Sequence, residues 1–193
     1  CLASGSSGNS FYLGTEKYGI LIDAGIPVRT IKGALKDVGI DFESIIAVFV
    51  THDHADHIKS LGTLGEKYNI PIYATRETHV GINKNYCMTQ KLVSCMRYVE
   101  KDVTLNFRDF QITPFEVPHD GNDNVGYFIQ AEDKHFCFIT DIGHITNTVA
   151  SYITRTQYLI IEANYDEEML AHGTYPQYLK DRISGPNGHL SNK

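Results

Sequence analysis

Apolar positions along the chain fall into short runs and stripes whose spacing changes from one segment to the next. Phe11-Tyr12-Leu13 and Ile20-Leu21-Ile22 flank a turn from Gly14 to Gly19, which predicts a hairpin whose second strand delivers Asp23 to its end. Val28, Ile31, Ala34, Leu35 and Val38 recur at helical spacing and stop at Gly39, so a core-facing helix is predicted over 28–38. Ile45 to Val50 is an unbroken apolar run of the kind that forms a strand buried on both faces. Leu61, Leu64 and Tyr68 then return to helical spacing, and Ile70 to Ala74 is a short strand. A strand-helix-strand repeat of this kind predicts parallel neighbours covered by helices.

The middle of the chain is less regular. Thr75 to Val93 has weak periodicity and predicts a helix followed by a loop or a second helix, either a plain surface insertion or a lid that touches substrate. Met96 to Glu100, Val103 to Phe107 and Phe110 to Val117 alternate, which predicts three short antiparallel strands. Val125 to Ala131 and His135 to Thr140 predict a hairpin across Glu132-Asp133-Lys134. A short helix over 146–155, a buried strand over 158–162 and helical segments at 167–171 and 177–183 complete the pattern. The whole is an α/β (α+β) chain, expected to be a single domain over 1–193.

Composition narrows the class. A chain of 193 residues with 42% hydrophobic and 21% charged residues is globular and long enough to bury a core without staples. Its apolar runs are of strand length, so no membrane span is expected. A formal charge of −6 argues against a broad basic face, and any nucleic-acid partner must be held locally, where bound cations would supply part of the positive charge. Cys1, Cys87, Cys95 and Cys137 show no paired spacing and are expected to be free thiols in a reducing cytosol, without a disulfide partner. The chain opens on Cys1 without a methionine, and trimming is expected rather than lipoprotein processing, because strand-like sequence begins almost at once.

The densest chemistry is Thr51-His52-Asp53-His54-Ala55-Asp56-His57, at the carboxyl end of the buried 45–50 run, where open α/β sheets place their chemistry. Imidazole and carboxylate together suit zinc, manganese or iron. His52 and His54 are close enough in one loop to share an ion, and Asp56 and His57 project from the following turn toward a second. His119, in Pro118-His119-Asp120, repeats the strand-end placement, and Asp141 stands at another strand end, where a lone Asp is more often a helix cap. The Ser4-to-Ser10 glycine and serine loop is either an anion-binding nest or a flexible lead-in to the hairpin.

H-x-H-x-D-H after a hydrophobic strand resembles the signature of the metallo-β-lactamase fold. Ser4-Gly5-Ser6-Ser7-Gly8-Asn9-Ser10, Val117-Pro118-His119-Asp120, Glu162-Ala163-Asn164-Tyr165-Asp166, Tyr175-Pro176 and Gly188-His189-Leu190-Ser191-Asn192 narrow the likeness to its YycJ/WalJ-type group. The resemblance implies a four-layer αββα sandwich whose C-terminal part is expected to be missing here, because the fold normally continues beyond His189. It also implies a cytoplasmic, bacterial, metal-dependent DNA exonuclease, in Gram-positive organisms linked to the two-component system that coordinates cell-wall metabolism with division.

Carried over residue by residue, the resemblance implies two divalent ions, one held by His52, His54 and His119 and the other by Asp56, His57 and His189, with Asp141 bridging. Asp23, in Asp23-Ala24-Gly25, is expected to orient a loop or a ligand histidine rather than bind metal. A bridging hydroxide would be the nucleophile, with Asp56, Asp141 and His189 as its catalytic surroundings. Ser6, Ser7, Asn9, Ser191 and Asn192 are candidates for a second phosphate, the last two equally readable as a helix cap. His144 and His172 are candidate proton donors, each equally readable as a surface histidine. A small-molecule hydrolase acting on a cyclic phosphodiester, lactone or thioester is the alternative that the acidic charge favours. A metal-bound scaffold without activity is the third, weakened by so many ligand positions.

Overall fold

The computed structural model describes every residue from Cys1 to Lys193. The chain divides into two compact units, Cys1–Val99 with Gly121–Asp123, and Glu100–Asp120 with Asn124–Lys193.

The first unit is a five-stranded sheet in the order β1-β2-β3-β4-β5. Phe11–Gly14 (β1) and Gly19–Ile22 (β2) form the predicted antiparallel hairpin. Ile45–Phe49 (β3), Ile72–Ala74 (β4) and Met96–Tyr98 (β5) then add in parallel. Ile20, Leu21, Ile22, Ala47, Val48, Phe49 and Val50 have no exposed surface, as their continuous apolar run requires of strands covered on both faces. Each large aliphatic side chain buried in this way contributes roughly 1.5–3 kcal/mol. Val28–Asp37 (α1) buries Ile31 and Leu35, and Arg76–Lys84 (α3) follows β4, with Thr75 accepting from Thr78 N–H at its N-terminus.

Two predictions for this unit are corrected. Met96–Tyr98 belongs to the parallel sheet and not to an antiparallel set, because the crossover through α3 returns the chain beside β4 in the same direction. An alternating pattern marks a strand but carries no information about its partner. The segment after the histidine loop becomes helical at Ala55–Ile58 (α2), earlier than the apolar stripe indicated, and continues into a π-helical turn at Thr63–Lys67. Asp56 and His57 are thus set by helical geometry.

The second unit is a five-stranded sheet in the order β10-β9-β8-β7-β6. Leu105–Phe107 (β6), Phe110–Glu116 (β7), Val125–Ala131 (β8) and Lys134–Ile139 (β9) form an antiparallel meander, with Glu132 turning the last hairpin at a φ of 55°. Asn147–Ile153 (α4) buries Val149 and Tyr152 in a core with Phe115, Phe128, Cys137 and Ile139. Tyr158–Ile161 (β10) joins β9 in parallel as an edge strand. It is not the buried strand its composition predicted: Tyr158 is 49% and Leu159 42% exposed. Glu167–His172 (α5) and Gln177–Ile183 (α6) complete this unit. No helix is long and apolar enough to cross a membrane, and all four cysteines are free.

Candidate metal centre

In the first unit, β2 and β3 run parallel and end side by side, placing Asp23 beside Thr51. Asp23 is fully buried, with a left-handed backbone at φ 59°, a conformation that Asp tolerates better than most residues. Its Oδ1 accepts from Thr51 N–H at 2.8 Å, and its Oδ2 accepts from the Thr51 hydroxyl and from His57 Nδ1, each at 2.8 Å. The proton on His57 is therefore on Nδ1, and the lone pair is on Nε2. Thr51 passes the same logic on. Its hydroxyl proton is given to Asp23, so at 2.9 Å it accepts from His52 Nδ1 and leaves the His52 lone pair on Nε2 as well.

A carboxylate behind an imidazole in this way fixes the ring and raises its basicity toward a metal. His52 packs against His54 and His57, with ring centroids 4.5 and 4.1 Å apart. The Asp23-Ala24-Gly25 turn also docks on α2 through its backbone. Ala24 N–H donates to His57 O at 2.8 Å, and a side chain at Gly25 would run into the Asp56 carbonyl.

The glycine and serine loop reaches this half-site through Asn9. Its Oδ1 accepts from Gly5 N–H, and its Nδ2 lies 3.3 Å from Asp56 Oδ2 and 3.0 Å from His57 Nε2. The structure thus places Asn9, 7% exposed, against two predicted ligands, while Ser6 and Ser7 are exposed.

In the second unit, His119 follows β7, Asp141 follows β9 and His189 lies near the end of the chain. His119 is buried, and its Nδ1 donates to the carbonyl of Gly188 at 2.9 Å, so the lone pair is again on Nε2. His119 Nε2 is 3.7 Å from Asp141 Oδ2 and 3.4 Å from Asp120 Oδ1. His189 Nδ1 donates to Glu162 Oε2 at 2.9 Å and lies 3.9 Å from Asp141 Oδ1. Burial opposes charge on His189, but its hydrogen bond to Glu162 and the negative charges of Glu162, Asp141 and Asp120 outweigh it, holding its pKa above the ordinary histidine value. Asp141, Glu162 and His189 place ligand atoms within 4.8 Å of one another.

Glu162 was quoted only as part of a sequence likeness, yet it ties together the candidate residues of the second unit. Its Oε1 accepts from Ile142 N–H at 2.6 Å and Leu190 N–H at 3.3 Å, tying the Asp141 loop to the His189 loop. Thr51 was likewise passed over. In both cases the available signal was position: a polar residue directly after an apolar strand.

The remaining candidates lie nearby or apart. His144, exposed, donates from Nδ1 to Pro186 O at 2.8 Å. His172 is exposed at the end of α5, and its side chain makes no hydrogen bond or ion pair. The Ser191 hydroxyl bonds only with the backbone of Lys193, and the Asn192 amide, oriented to satisfy its nitrogen, donates to Ala163 O and Tyr165 O.

Residues 18–191 match the family model of the β-lactamase superfamily domain. The chain is 37% identical to exodeoxyribonuclease WalJ of Streptococcus pneumoniae over all of its own length and 71% of that protein. It is 32% identical to exodeoxyribonuclease YycJ of Bacillus anthracis, covering 72% of it. Among solved structures, Zn(2+)-bound PqqB from Methylobacterium extorquens superposes with a TM-score of 0.75 at 20% identity, over 97% of this chain and 71% of that one, a likeness of fold.

Proposed function

Because the chain belongs to the β-lactamase superfamily, and within it to the group of the WalJ and YycJ exodeoxyribonucleases, we propose that it is a cytoplasmic DNA exonuclease whose two half-sites together hold two divalent ions. His52, His54 and His119 would hold one ion, and Asp56, His57 and His189 the other, with the Asp141 carboxylate available to both. The observation that carries this is the common orientation of His52, His57, His119 and His189. Each is held through Nδ1, by a hydroxyl, a carboxylate, a carbonyl and a carboxylate in turn, and so presents Nε2 as donor. Such a set of imidazoles and carboxylates fits zinc, manganese or iron.

When bound, divalent ions supply Lewis acidity toward phosphate oxygens and make water nucleophilic at neutral pH. The chain's own residues set where that happens. Asp23 and Thr51 keep His57 and His52 in a single tautomer. Glu162 does so for His189 and keeps the Asp141 loop in register with it. Asn9 presents an amide N–H beside Asp56, where with Ser6 and Ser7 it meets a phosphate oxygen. Ser191 and Asn192 extend that cradle from the second unit. His144, anchored on Pro186 O through Nδ1, would return a proton to the leaving oxygen from Nε2 only as the imidazolium, with both ring nitrogens protonated, and His172 is the reserve donor.

The test is metal-loaded protein on end-labelled duplex DNA, a generic phosphodiester and a thioester. Stepwise metal-dependent shortening of the DNA is expected, and thioester turnover with intact DNA would replace this assignment with the small-molecule hydrolase that the net charge of −6 favours.

A further inference from the structure

Resting on the metal-dependent assignment above, we propose that Asp53, between His52 and His54, is a positioning residue that clasps Asn122 and thereby fixes the loop carrying His119. Asp53 is the acidic residue of the histidine loop to which no ligand role falls, yet it is only 6% exposed. Its carboxylate is committed elsewhere. Oδ1 accepts from Asn122 N–H at 3.1 Å and Oδ2 accepts from Asn122 Nδ2 in a short hydrogen bond, while its backbone carbonyl accepts from Asn85 Nδ2 at 2.8 Å.

The surroundings are built to admit this contact. Any side chain at Gly81 of α3 would collide with Asp53 Oδ2 and Asn122 Nδ2. From the next turn of α3, buried Thr78 donates its hydroxyl to Asp123 O at 2.9 Å. These contacts are why Gly121–Asp123 belongs to the first unit although the strands on either side, β7 and β8, belong to the second. Directly after the clasped segment, Asn124 Nδ2 donates to His119 O at 2.9 Å. A carboxylate within the His52-to-His54 loop thus holds the backbone three residues from His119.

The exchange of side chains gives a direct test. Asp53→Asn sets two amides against each other, whereas Asp53→Asn combined with Asn122→Asp reverses donor and acceptor and remakes the pair. Cobalt(II) titration of the wild type and both variants, read by its visible absorption and by competition with a chelator, gives affinity and ligand field. Thermal melts of the metal-free proteins give fold stability. Asp53→Asn is expected to weaken cobalt binding about 10–100-fold and to change the spectrum, with both restored in the exchanged pair.

Unchanged cobalt affinity and spectrum in Asp53→Asn, even with a lowered melting temperature, would reduce Asp53 to a structural contact and overturn the proposal. So would a loss that the exchange fails to repair. Wild-type protein that takes up no cobalt would overturn both this proposal and the metal-dependent assignment. Wild-type protein that binds cobalt but leaves DNA intact would remove the exonuclease assignment alone.

Discussion

The two units supply the side chains proposed to bind metal in different ways. In the first, the proposed ligands His52, His54, Asp56 and His57 lie within six successive residues, and the groups that orient their rings, Asp23 and Thr51, come from the ends of adjacent parallel strands. In the second, His119, Asp141 and His189 are scattered. They are oriented across long stretches of chain, His119 by a carbonyl 69 positions away and His189 by a carboxylate 27 positions away. The first cluster is thus set by neighbouring strand ends and the short helix that follows them, the second by contacts between distant parts of its unit. In the first, disturbing an orienting group disturbs the core; in the second, it disturbs mainly the chemistry.

Substitutions sharpen that contrast. Asp141→Ala is expected to lower DNA hydrolysis by about 10³-fold, the equivalent of several kcal/mol of transition-state charge stabilisation, while the melting temperature of metal-free protein moves little. Residual activity within tenfold of wild type would break the assignment of Asp141.

Asp23→Asn and Glu162→Gln form the matched pair. Each is expected to weaken metal binding about 10–100-fold in a chelator competition. Urea melts should separate them. Asp23→Asn should also cost about 2–3 kcal/mol of stability, because a fully buried charged acceptor of three hydrogen bonds is altered. Glu162→Gln should cost less, and equal losses would erase the distinction between the half-sites.

The smallest effect is a control outside both. Glu66 accepts hydrogen bonds from Val93 N–H, Cys95 and Ser94, which hold its pKa at about 2, down from 4.5. A depressed carboxylate pKa contributes stability that is present above 4.5 and lost as pH falls through about 2. In that window wild type should lose stability more steeply than Glu66→Gln, with metal affinity equal in the two at neutral pH.

The same contrast explains what the sequence disclosed. The candidate residues of the first unit stood out because they form one short motif behind a continuous apolar strand, and the β2-β3-β4 core followed from patterning alone. His119, Asp141 and His189 became candidates chiefly through resemblance, since a lone polar residue after a strand has many ordinary uses. Glu162 stayed hidden because its role depends on an edge strand bringing it between the Asp141 and His189 loops, a pairing no local pattern encodes. The direction of β5 and the exposure of β10 were missed for the same reason: periodicity records which faces are apolar, not which neighbour a strand meets.

The most direct test of the central claim, that separate half-sites jointly hold two ions, is an anomalous difference map from crystals grown with zinc or manganese. Two peaks are expected, one bound by His52, His54 and His119, the other by Asp56, His57 and His189, with Asp141 touching both. A single peak, or peaks bound by the His52-to-His57 cluster alone, would contradict the account.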